Sequence, residues 1–534
     1  MNKLTRVLCA LAVTGCLTPA FADDINIYYG PKGGFAKVNN SRKLIFSDKS
    51  ERKATLSNSV IHKFDSLEPG STAKVAMYSM SDFKCLDAMV DAAINKGVHI
   101  KLLLDGVPDW TKESREQIAG VIKKGAERAE KEGKPFDFVL AATTQEAMKR
   151  VGREQTLDDG KKIYGTMHEK FAIFYKPGQL VPTSCFNGSA NMSTTSDQIY
   201  GENRVFFEDQ PVVARQFAEE FARLWNEYST PVFGKWIPER FIETDYVPGY
   251  VKLVFNSEPV SETELTRIDN ELINLIGRVK DDGGLDLSMF SFTRRELAEA
   301  ILRSAARHPK AKFRLLFDHA QLDDDDKTQG KLAPWLIKEA KRRNLKNIEA
   351  RFRFRRNAYA YDPQTDKVCL VSYMSLFLHH KNVSINNKEI VVGSYNWSGS
   401  AENMNFENIM MFNGDFQHHQ KIVDSFKAEF DTLWNSRMPE ISSVKWVRKG
   451  VPQTVTLEEG RKLHEKLLRT MKSSKDVQAV HSALGRDAFK TYDELKKETK
   501  LNDRKLKAAI NRLTKDGFII KFTKKDVEGY AQAD

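Results

Sequence analysis

The order of apolar and polar residues predicts the same set of secondary-structure elements twice along the chain. Apolar runs of strand length alternate with stretches of helical periodicity, and each half contains the order strand, helix, strand. These predicted elements are a strand over 75–80, a helix over 82–96 and a strand over 98–104, followed by a strand over 287–292, a helix over 295–307 and a strand over 313–317. Met77 and Met289 occupy matching places 212 positions apart. An internal duplication of a whole domain is therefore predicted.

Each half also closes with a similar amphipathic helix, whose apolar side chains recur at helical spacing as one buried stripe. The two stripes consist of Phe217, Phe221, Leu224 and Trp225 and of Phe426, Phe430, Leu433 and Trp434. Strands that alternate with helices are typical of α/β sheets. We therefore predict the α/β class, with tandem domains over 23–235 and 249–440 and a link near the proline-bearing stretch 231–248.

The pattern changes after about residue 452. A third, mainly helical unit over 455–534 is predicted, with a helix over 492–499, a capped turn over 501–503, a basic helix over 504–515 and a strand over 518–522. This order resembles a winged helix-turn-helix module. Such modules bind DNA in many proteins and dock other proteins elsewhere, and both interpretations stay open.

The N-terminus is similar to a secretory signal peptide over 1–22. Lys3 and Arg6 give a basic start, the apolar run that follows is too short to span a bilayer, and residues 20–22 form a small-x-small cleavage site. Cys16 lies in a lipoprotein-like box, which gives a second and less favoured cleavage site. We predict cleavage after Ala22 and a secreted or periplasmic protein with no transmembrane segment.

The formal net charge of +11 favours anionic partners such as nucleic acid, anionic lipid or phosphate groups. The run 351–356 alternates arginine with phenylalanine, which predicts an amphipathic strand with Phe352 and Phe354 inward and arginines available to phosphates. The acidic run 323–326 lacks the ligand spacing of a calcium loop. We expect neither a metal nor a cofactor.

The chemistry-bearing residues of the chain occur as one polar motif present in both halves. The interval from the glycine of each motif to its glutamate is 14 residues. The motif consists of His168, Lys170, Gly188, Ser189, Asn191 and Glu202 in the first half and of His379, Lys381, Gly393, Ser394, Asn396 and Glu407 in the second. Two such sets on one chain predict a shared site between the halves.

These residue types suit the cleavage of a phosphodiester. In an extended strand residues two apart share a face, so the histidine and lysine of each motif project together, as do the serine and asparagine. Imidazole is a nucleophile and proton carrier near neutral pH, whereas lysine, serine and asparagine offer donors to an oxyanion. A glutamate can fix the tautomer of the imidazole.

The two motifs resemble those of the phospholipase D superfamily, whose pattern is HxK, four residues, Asp, six residues, and GSxN. The resemblance covers roughly residues 25–440 and implies two α/β sandwich domains that form a pseudo-dimer. The aspartate of the pattern is replaced by Tyr175 in the first half and by Asn386 in the second. The first half also carries a six-residue insertion within 176–184.

The resemblance implies a role for each motif residue. His168 is expected to attack phosphorus and form a phosphohistidine, while His379 protonates the leaving group and then activates water. The remaining residues are expected to hold phosphate oxygens (Lys170, Lys381, Asn191 and Asn396), to orient the histidines (Glu202 and Glu407) and to bind substrate (Ser189 and Ser394). No metal is required by this chemistry.

Four functions remain open at the level of sequence. The first is an exported phospholipase D-type hydrolase of phospholipids, with peripheral contact to a membrane. The second is a metal-independent nuclease of the same superfamily that acts on DNA or RNA. Transfer to an alcohol acceptor is third, and a non-catalytic binding protein that docks DNA or protein through residues 455–534 is last.

Overall fold

The computed structural model describes most of the two halves and the core of the tail. The described residues are 25–30, 56–108, 112–157, 160–193, 196–197, 200–241, 250–257, 267–318, 321, 332–353, 359–362, 367–370, 377–416, 419–435, 443–448, 451–456, 469, 474–484, 490–516, 519–524 and 527–532.

The first half forms an eight-stranded mixed sheet with the strand order β1-β9-β8-β7-β2-β3-β4-β10. Strands β2, β3 and β4 run parallel to one another, and the other pairs are antiparallel. In chain order the elements are β1 (Ile25–Gly30), α1 (Leu56–Ser66), β2 (Thr72–Met77), α2 (Phe83–Lys96), β3 (His99–Leu104), α3 (Lys112–Lys131), β4 (Phe138–Thr143), α4 (Gln145–Arg150), β5 (Glu154–Thr156), β6 (Lys162–Tyr164), β7 (Lys170–Tyr175), β8 (Ser184–Gly188), β9 (Glu202–Phe207), α5 (Pro211–Tyr228) and β10 (Ser229–Phe233).

The second half has a seven-stranded sheet of matching topology, with the order β11-β19-β18-β17-β12-β13-β14. The chain also forms a separate hairpin, β15–β16, within this stretch. The elements are β11 (Lys252–Phe255), α6 (Arg267–Ile276), β12 (Gly284–Met289), α7 (Arg295–Arg307), β13 (Lys312–Asp318), α8 (Leu332–Arg342), β14 (Ile348–Arg353), β15 (Tyr359–Asp362), β16 (Lys367–Leu370), β17 (Lys381–Ile385), β18 (Glu389–Gly393), α9 (Gly399–Asn403), β19 (Asn408–Asn413) and α10 (His419–Asn435). The predicted duplication and α/β class are thus confirmed.

Local sequence signals account for the ends of these elements. Asp82 caps helix α2 by accepting a hydrogen bond from the backbone of Lys84, and Gly97 ends the helix in the left-handed region at φ 61°. Pro211 opens helix α5, where its missing N–H costs no helical hydrogen bond. The helix begins four residues after the end of β9 and packs on the sheet of the first half.

The two halves pack through one continuous apolar core. Phe207 of β9 stacks on Phe412 of β19 with ring centroids 6.1 Å apart, and Tyr228 of α5 contacts Phe406 at 4.6 Å. All eight residues of the two predicted helical stripes are buried. The halves meet along one seam, where Met167 forms a β-bridge with Phe406 and Gly201 forms one with Leu378.

The predicted link between the halves begins with a short strand. Residues 229–233 form β10, which pairs antiparallel with β4 at the edge of the first sheet. Glu239 then lies against the same sheet, with its carboxylate 2.7 Å from Lys74 Nζ and 2.6 Å from Lys101 Nζ. These ion pairs with two half-buried lysines hold the chain on the sheet beyond the proline. The three predicted domain boundaries stay predictions.

The described residues of the C-terminal module include three helices followed by a hairpin, as the winged-helix resemblance implies. Helix α12 has the predicted bounds and begins with a capping box formed by Thr491 and Glu494. A hairpin of β20 (Ser443–Arg448) and β21 (Val451–Thr456) precedes the helices of the module. The elements of the module that follow are α11 (Lys475–Leu484), α12 (Tyr492–Thr499), α13 (Asp503–Asp516), β22 (Ile519–Lys524) and β23 (Val527–Gln532), and the last two form a second hairpin. Leu506, Ile510 and Leu513 of α13 are buried as predicted.

Several predictions fall outside the described residues. They are the signal peptide over 1–22 with Cys16, the acidic run 323–326, and Phe354 with the arginines that follow it. Strand β14 bears out the amphipathic pattern, because Phe352 packs on the core. Arg351 is engaged by Glu349 and by the Trp434 carbonyl, so it is a packing residue rather than an open phosphate contact. Within the described part of the chain, none of the helices has the length and apolar character of a membrane span.

Candidate functional site

The two HxK segments lie at the seam, where each one pairs with the opposite half. Met167 forms a β-bridge with Phe406, and Leu378 forms the equivalent bridge with Gly201. The backbone N–H of His168 donates to the Phe406 carbonyl at 2.9 Å. Each histidine is therefore placed directly beside the glutamate that follows the bridged segment of the other half.

The histidines and glutamates form two crossed pairs. His168 Nδ1 is 2.9 Å from Glu407 Oε2, and His379 Nδ1 is 2.7 Å from Glu202 Oε1. Both glutamates are fully buried, and both histidines are largely buried. A carboxylate at Nδ1 holds the proton there, so Nε2 of each ring is left as the reactive nitrogen. The two sequence motifs thus build one site, in which each half completes the other.

Burial and charge oppose each other at these pairs. Burial lowers the pKa of His379 to about 4 despite the nearby charge of Glu202, and it lowers the pKa of His168 despite Glu407. Burial alone would raise the pKa of Glu202, but His379 and Lys381 bring it below its ordinary value. Neutral imidazoles beside ionised carboxylates are the form in which a histidine can act as a nucleophile.

The two lysines supply the positive charge of the site. Burial lowers the pKa of Lys170 to about 8, opposed by Glu407 and Glu202, and that of Lys381 to about 7. Lys381 Nζ donates to the carbonyl of His379 at 2.6 Å, and Lys170 does the same to His168. Their ammonium groups are held at the HxK backbone, where an anionic ligand would be met by two desolvated cations.

These lysine pKa values predict that anion binding weakens as the pH rises. The charged fraction of Lys381 falls about tenfold per pH unit above its pKa, and Lys170 follows one unit higher. We expect the inhibition constant of sulfate, which stays dianionic in this range, to rise at least about tenfold between pH 7 and pH 9. In Lys381→Met binding should be weak at every pH, and a pH-independent constant in the wild type would contradict the assignment.

The GSxN serines stand behind the glutamates. Ser189 Oγ donates to Glu202 Oε2 at 2.6 Å and accepts the Asn203 N–H at 3.0 Å. Ser394 Oγ accepts the Asn408 N–H at 3.0 Å in the same arrangement. Both hydroxyls are fully buried and already hydrogen-bonded beside the glutamates. Their predicted part in binding substrate stays a prediction.

The asparagines of the same motifs keep hydrogen-bonding capacity for a ligand. Among the described residues, nothing donates to the side-chain oxygens of Asn191 and Asn396. Arg204 fixes the first of these loops by donating to the carbonyls of Ala190 and Asn191 at 3.1 and 3.3 Å. The unsatisfied oxygens are acceptors and suit a donor on the ligand, whereas a phosphate oxygen would be held by the Nδ2 donors of the same amides.

An aromatic ring lies on each histidine. Tyr78 contacts His168 edge-on with centroids 4.7 Å apart, and Phe290 contacts His379 at 4.8 Å. Each ring is the first residue after a central parallel strand, β2 or β12. Neither ring was predicted as a site residue, although the two occupy matching places after Met77 and Met289. They remove water from the imidazoles and contribute to the low histidine pKa values.

A buried aspartate supports each HxK segment and was also missed. Asp105 Oδ1 accepts the Met167 N–H at 3.2 Å, and Asp318 Oδ2 accepts the Leu378 N–H at 2.8 Å. Burial raises the pKa of Asp105 to about 6, although the hydrogen bond from Thr143 opposes it. The sequence did carry a signal, because Asp105 directly follows β3 and Asp318 is the last residue of β13. Burial of an aspartate costs free energy unless the side chain is hydrogen-bonded or paired.

The positions of the missing motif aspartates lie at the other end of the strands. Asn386 adopts φ 56°, donates to the Arg278 carbonyl at 2.8 Å and accepts the Lys280 N–H at 3.0 Å. Tyr175 is buried, and its hydroxyl accepts from Lys74 at 3.1 Å. The insertion occupies the turn over 176–183 between β7 and β8, beyond Tyr175. Neither the replacements nor the insertion therefore touches the histidines.

No group of three or more His, Cys, Asp or Glu side chains is arranged to hold a metal ion within the described ranges.

Comparison with known proteins identifies both halves. A family profile described as "Cardiolipin synthase, PLD-like domain" matches residues 64–225 and 272–434, which together are more than half of the 534 residues. No curated protein matches the chain.

Three solved structures are similar to this one at low sequence identity. Phosphatidylserine synthase of Haemophilus influenzae is 12% identical, with 85% of this chain and 93% of that chain covered and a TM-score of 0.46. The phospholipase D family member Nuc of Salmonella typhimurium is 17% identical, with 35% and 93% covered and a TM-score of 0.23. Polyphosphate kinase of Porphyromonas gingivalis is 10% identical with a TM-score of 0.42; 79% of this chain is covered, but the chain spans only 53% of that kinase.

Proposed function

Because this chain belongs to the phospholipase D superfamily, with a PLD-like domain in each half, we propose that it hydrolyses the head-group phosphodiester of phospholipids. The observation that carries this proposal is the crossed pairing of two histidines with two glutamates beside two desolvated lysines. Such a site offers a nucleophile, an acid and a charge clamp around one phosphorus atom.

The reaction proceeds in two displacements at phosphorus. Nε2 of His168 attacks, the P–N bond forms, and the P–O bond to the head-group alcohol breaks while His379 Nε2 gives that oxygen its proton. The neutral His379 then takes a proton from water, whose oxygen attacks the phosphohistidine and releases phosphatidic acid. His379 must be protonated at the start, and the anionic substrate raises its pKa by adding negative charge beside it.

The other residues of the site act on charge and geometry. Lys170 and Lys381 neutralise the equatorial oxygens of the transition state, and the amides of Asn191 and Asn396 hold these oxygens in place. Glu407 and Glu202 stabilise the imidazolium that each histidine becomes during the cycle. We further propose that the protein acts outside the cytoplasm, on the strength of the signal-like segment over 1–22.

A direct assay separates the candidate substrates. Vesicles with choline or ethanolamine head groups, single-stranded DNA, double-stranded DNA and RNA are incubated with the full chain in EDTA. Release of phosphatidic acid from vesicles is the expected result, and a double variant of His168→Ala with His379→Ala is the blank. Cleavage confined to nucleic acid, or transfer to added glycerol in place of hydrolysis, would overturn the lipid hydrolase.

A nuclease is the second candidate, and the C-terminal module is the observation that favours it. Helix α13 buries its apolar side and leaves a cluster of basic side chains exposed: Arg504, Lys505, Lys507, Arg512 and Lys515. Such a face attracts a phosphate backbone. If this function holds, the full chain should degrade nucleic acid in EDTA, and Lys507→Glu with Arg512→Glu should weaken binding to it.

A further inference from the structure

The middle residues of the two HxK segments form a second, hidden layer behind the catalytic pairs. Glu169 and His380 occupy this position, and both are fully buried. His380 Nδ1 lies 3.0 Å from Asn203 Nδ2, and the carboxyl group of Glu169 reaches Asn408. These asparagines directly follow Glu202 and Glu407, so each hidden contact sits immediately behind a catalytic pair.

The closing helices supply the next partner, and here the halves differ. His380 Nε2 lies 3.4 Å from Glu429 Oε1 of helix α10, which gives an imidazole and a carboxylate. Glu169 instead lies beside Glu220 of helix α5, close enough for the carboxyl groups to share a hydrogen bond. Two carboxyl groups meet in the first half, where the second half has a base and an acid.

The charges around this carboxyl pair leave room for one negative charge only. Arg223 Nη1 is 2.5 Å from Glu220 Oε2, whereas the charged neighbours of Glu169 are Glu220, Glu407 and Lys170. The ammonium group of Lys170 donates to the His168 carbonyl, on the side of the site that faces the catalytic pairs. Two ionised carboxylates in contact at a dry position would repel each other strongly, and one proton between them removes this conflict.

A shared proton also suits the hydrogen bonds around the carboxyl pair. The side chain of Asn408 reaches Glu169, whereas Ser257 and Arg223 reach Glu220. A protonated carboxylic acid is itself a donor, so a proton held between the two groups adds a hydrogen bond from one carboxyl group to the other.

We propose that Glu169 and Glu220 share one proton and act as a positioning pair, which anchors the strand start at 168–170 to helix α5 and keeps a second negative charge away from Glu407. Ionised Glu220 faces Arg223, and protonated Glu169 faces Glu407. Glu407 then carries the only negative charge beside His168 that this carboxyl pair would otherwise add to. The functional part of this inference rests on the proposed phosphodiesterase reaction, whereas the shared proton does not.

The shared proton is tested by stability, without any activity. Burial and the neighbouring carboxylates raise the pKa of Glu169 well above its ordinary value. The folded chain thus keeps a proton that the unfolded chain loses above about pH 4.3, so the wild type loses stability as the pH rises. Glu169→Gln copies the protonated acid and lacks this loss. The melting temperature of the wild type minus that of the variant should fall by at least about 3 °C between pH 5 and pH 8.

The positioning role is tested by a matched pair of variants. In Glu220→Gln the new amide donates to Glu169, which then carries the negative charge next to Glu407 and makes His168 more basic. The acidic limb of the kcat/KM profile should move up by about half a pH unit or more in Glu220→Gln, while Glu169→Gln keeps the wild-type limb. Glu169→Ala should lose at least about tenfold in kcat/KM that Glu169→Gln recovers.

Two results would overturn the inference. One is a melting-temperature difference between wild type and Glu169→Gln that is constant with pH, which would show that Glu169 is ionised in the folded protein. The other is an identical shift of the acidic limb in Glu169→Gln and Glu220→Gln. If no substrate is turned over at all, the proposed function fails, but the stability result still decides the shared proton.

Discussion

His168→Ala and His379→Ala are each expected to lower kcat/KM by about four orders of magnitude or more on whichever phosphodiester the protein cleaves. Loss of the nucleophile removes the covalent route, and loss of the acid leaves a poor alkoxide leaving group, so neither half-site can replace the other. Rates are measured with purified full-length variants on phospholipid vesicles in EDTA. His99→Ala is the matched control, because His99 is exposed and lies at the far end of strand β3.

The intermediate distinguishes the two histidines. With a nitrophenyl phosphodiester, whose leaving group departs without a proton, His379→Ala should accumulate a phosphoryl group on a peptide that contains His168, in a form that is labile to acid and stable to base, because the nucleophile is intact but water activation is lost. His168→Ala should accumulate none. Label on His379 would reverse the two roles, wild-type activity in both variants would defeat the catalytic assignment, and a wild type without activity would leave the chain a binding protein.

The repeat could be predicted from sequence because its signals are local. Strand runs, helical stripes and polar motifs fall in the same order in both halves, and the structure gives them the same topology around two sheets. Composition and pattern also indicated the helix and turn order of the tail, where Thr491 and Glu494 form a capping box visible in the sequence. These features depend on a few neighbouring residues.

The features that the sequence did not reveal depend on distant contacts. Spacing within a motif cannot tell whether Glu202 serves the histidine of its own half or of the other half. That choice is made by the bridge between Gly201 and Leu378 across the seam. The hydrogen bond from Ser189 to the buried Glu202 carboxylate is likewise not visible in the spacing of the motif.

The replaced motif aspartates show how a departure from a family pattern can be tolerated. Asn386 adopts the left-handed conformation that its turn requires, and its side chain makes the hydrogen bonds of that turn. Asparagine is suited to both tasks. Tyr175 instead uses its ring and hydroxyl to receive Lys74. Both positions are separated from the histidines by the length of a strand. Asn386 and Tyr175 therefore stabilise the far end of each sheet and do not contact the histidines.

The crossed pairing predicts that each glutamate variant damages the histidine of the other half. Glu407→Gln removes the charge that raises the pKa of His168, so this pKa should fall further while that of His379 changes little; Glu202→Gln should do the reverse. Each variant should also lower kcat by about 10²- to 10⁴-fold, because a glutamine that turns its amide toward Nδ1 selects the wrong tautomer.

Histidine side-chain NMR of the full chain, labelled with ¹⁵N at the imidazoles, measures this directly. Assignments come from His168→Ala and His379→Ala, and Glu402→Gln is the matched control, since Glu402 is a buried glutamate that pairs with Tyr395 instead of a histidine. If Glu407→Gln moved the signals of His379 and left those of His168 in place, the glutamates would serve their own halves. Two independent half-sites would then replace the single site, and the reason for having both motifs on one chain would be lost.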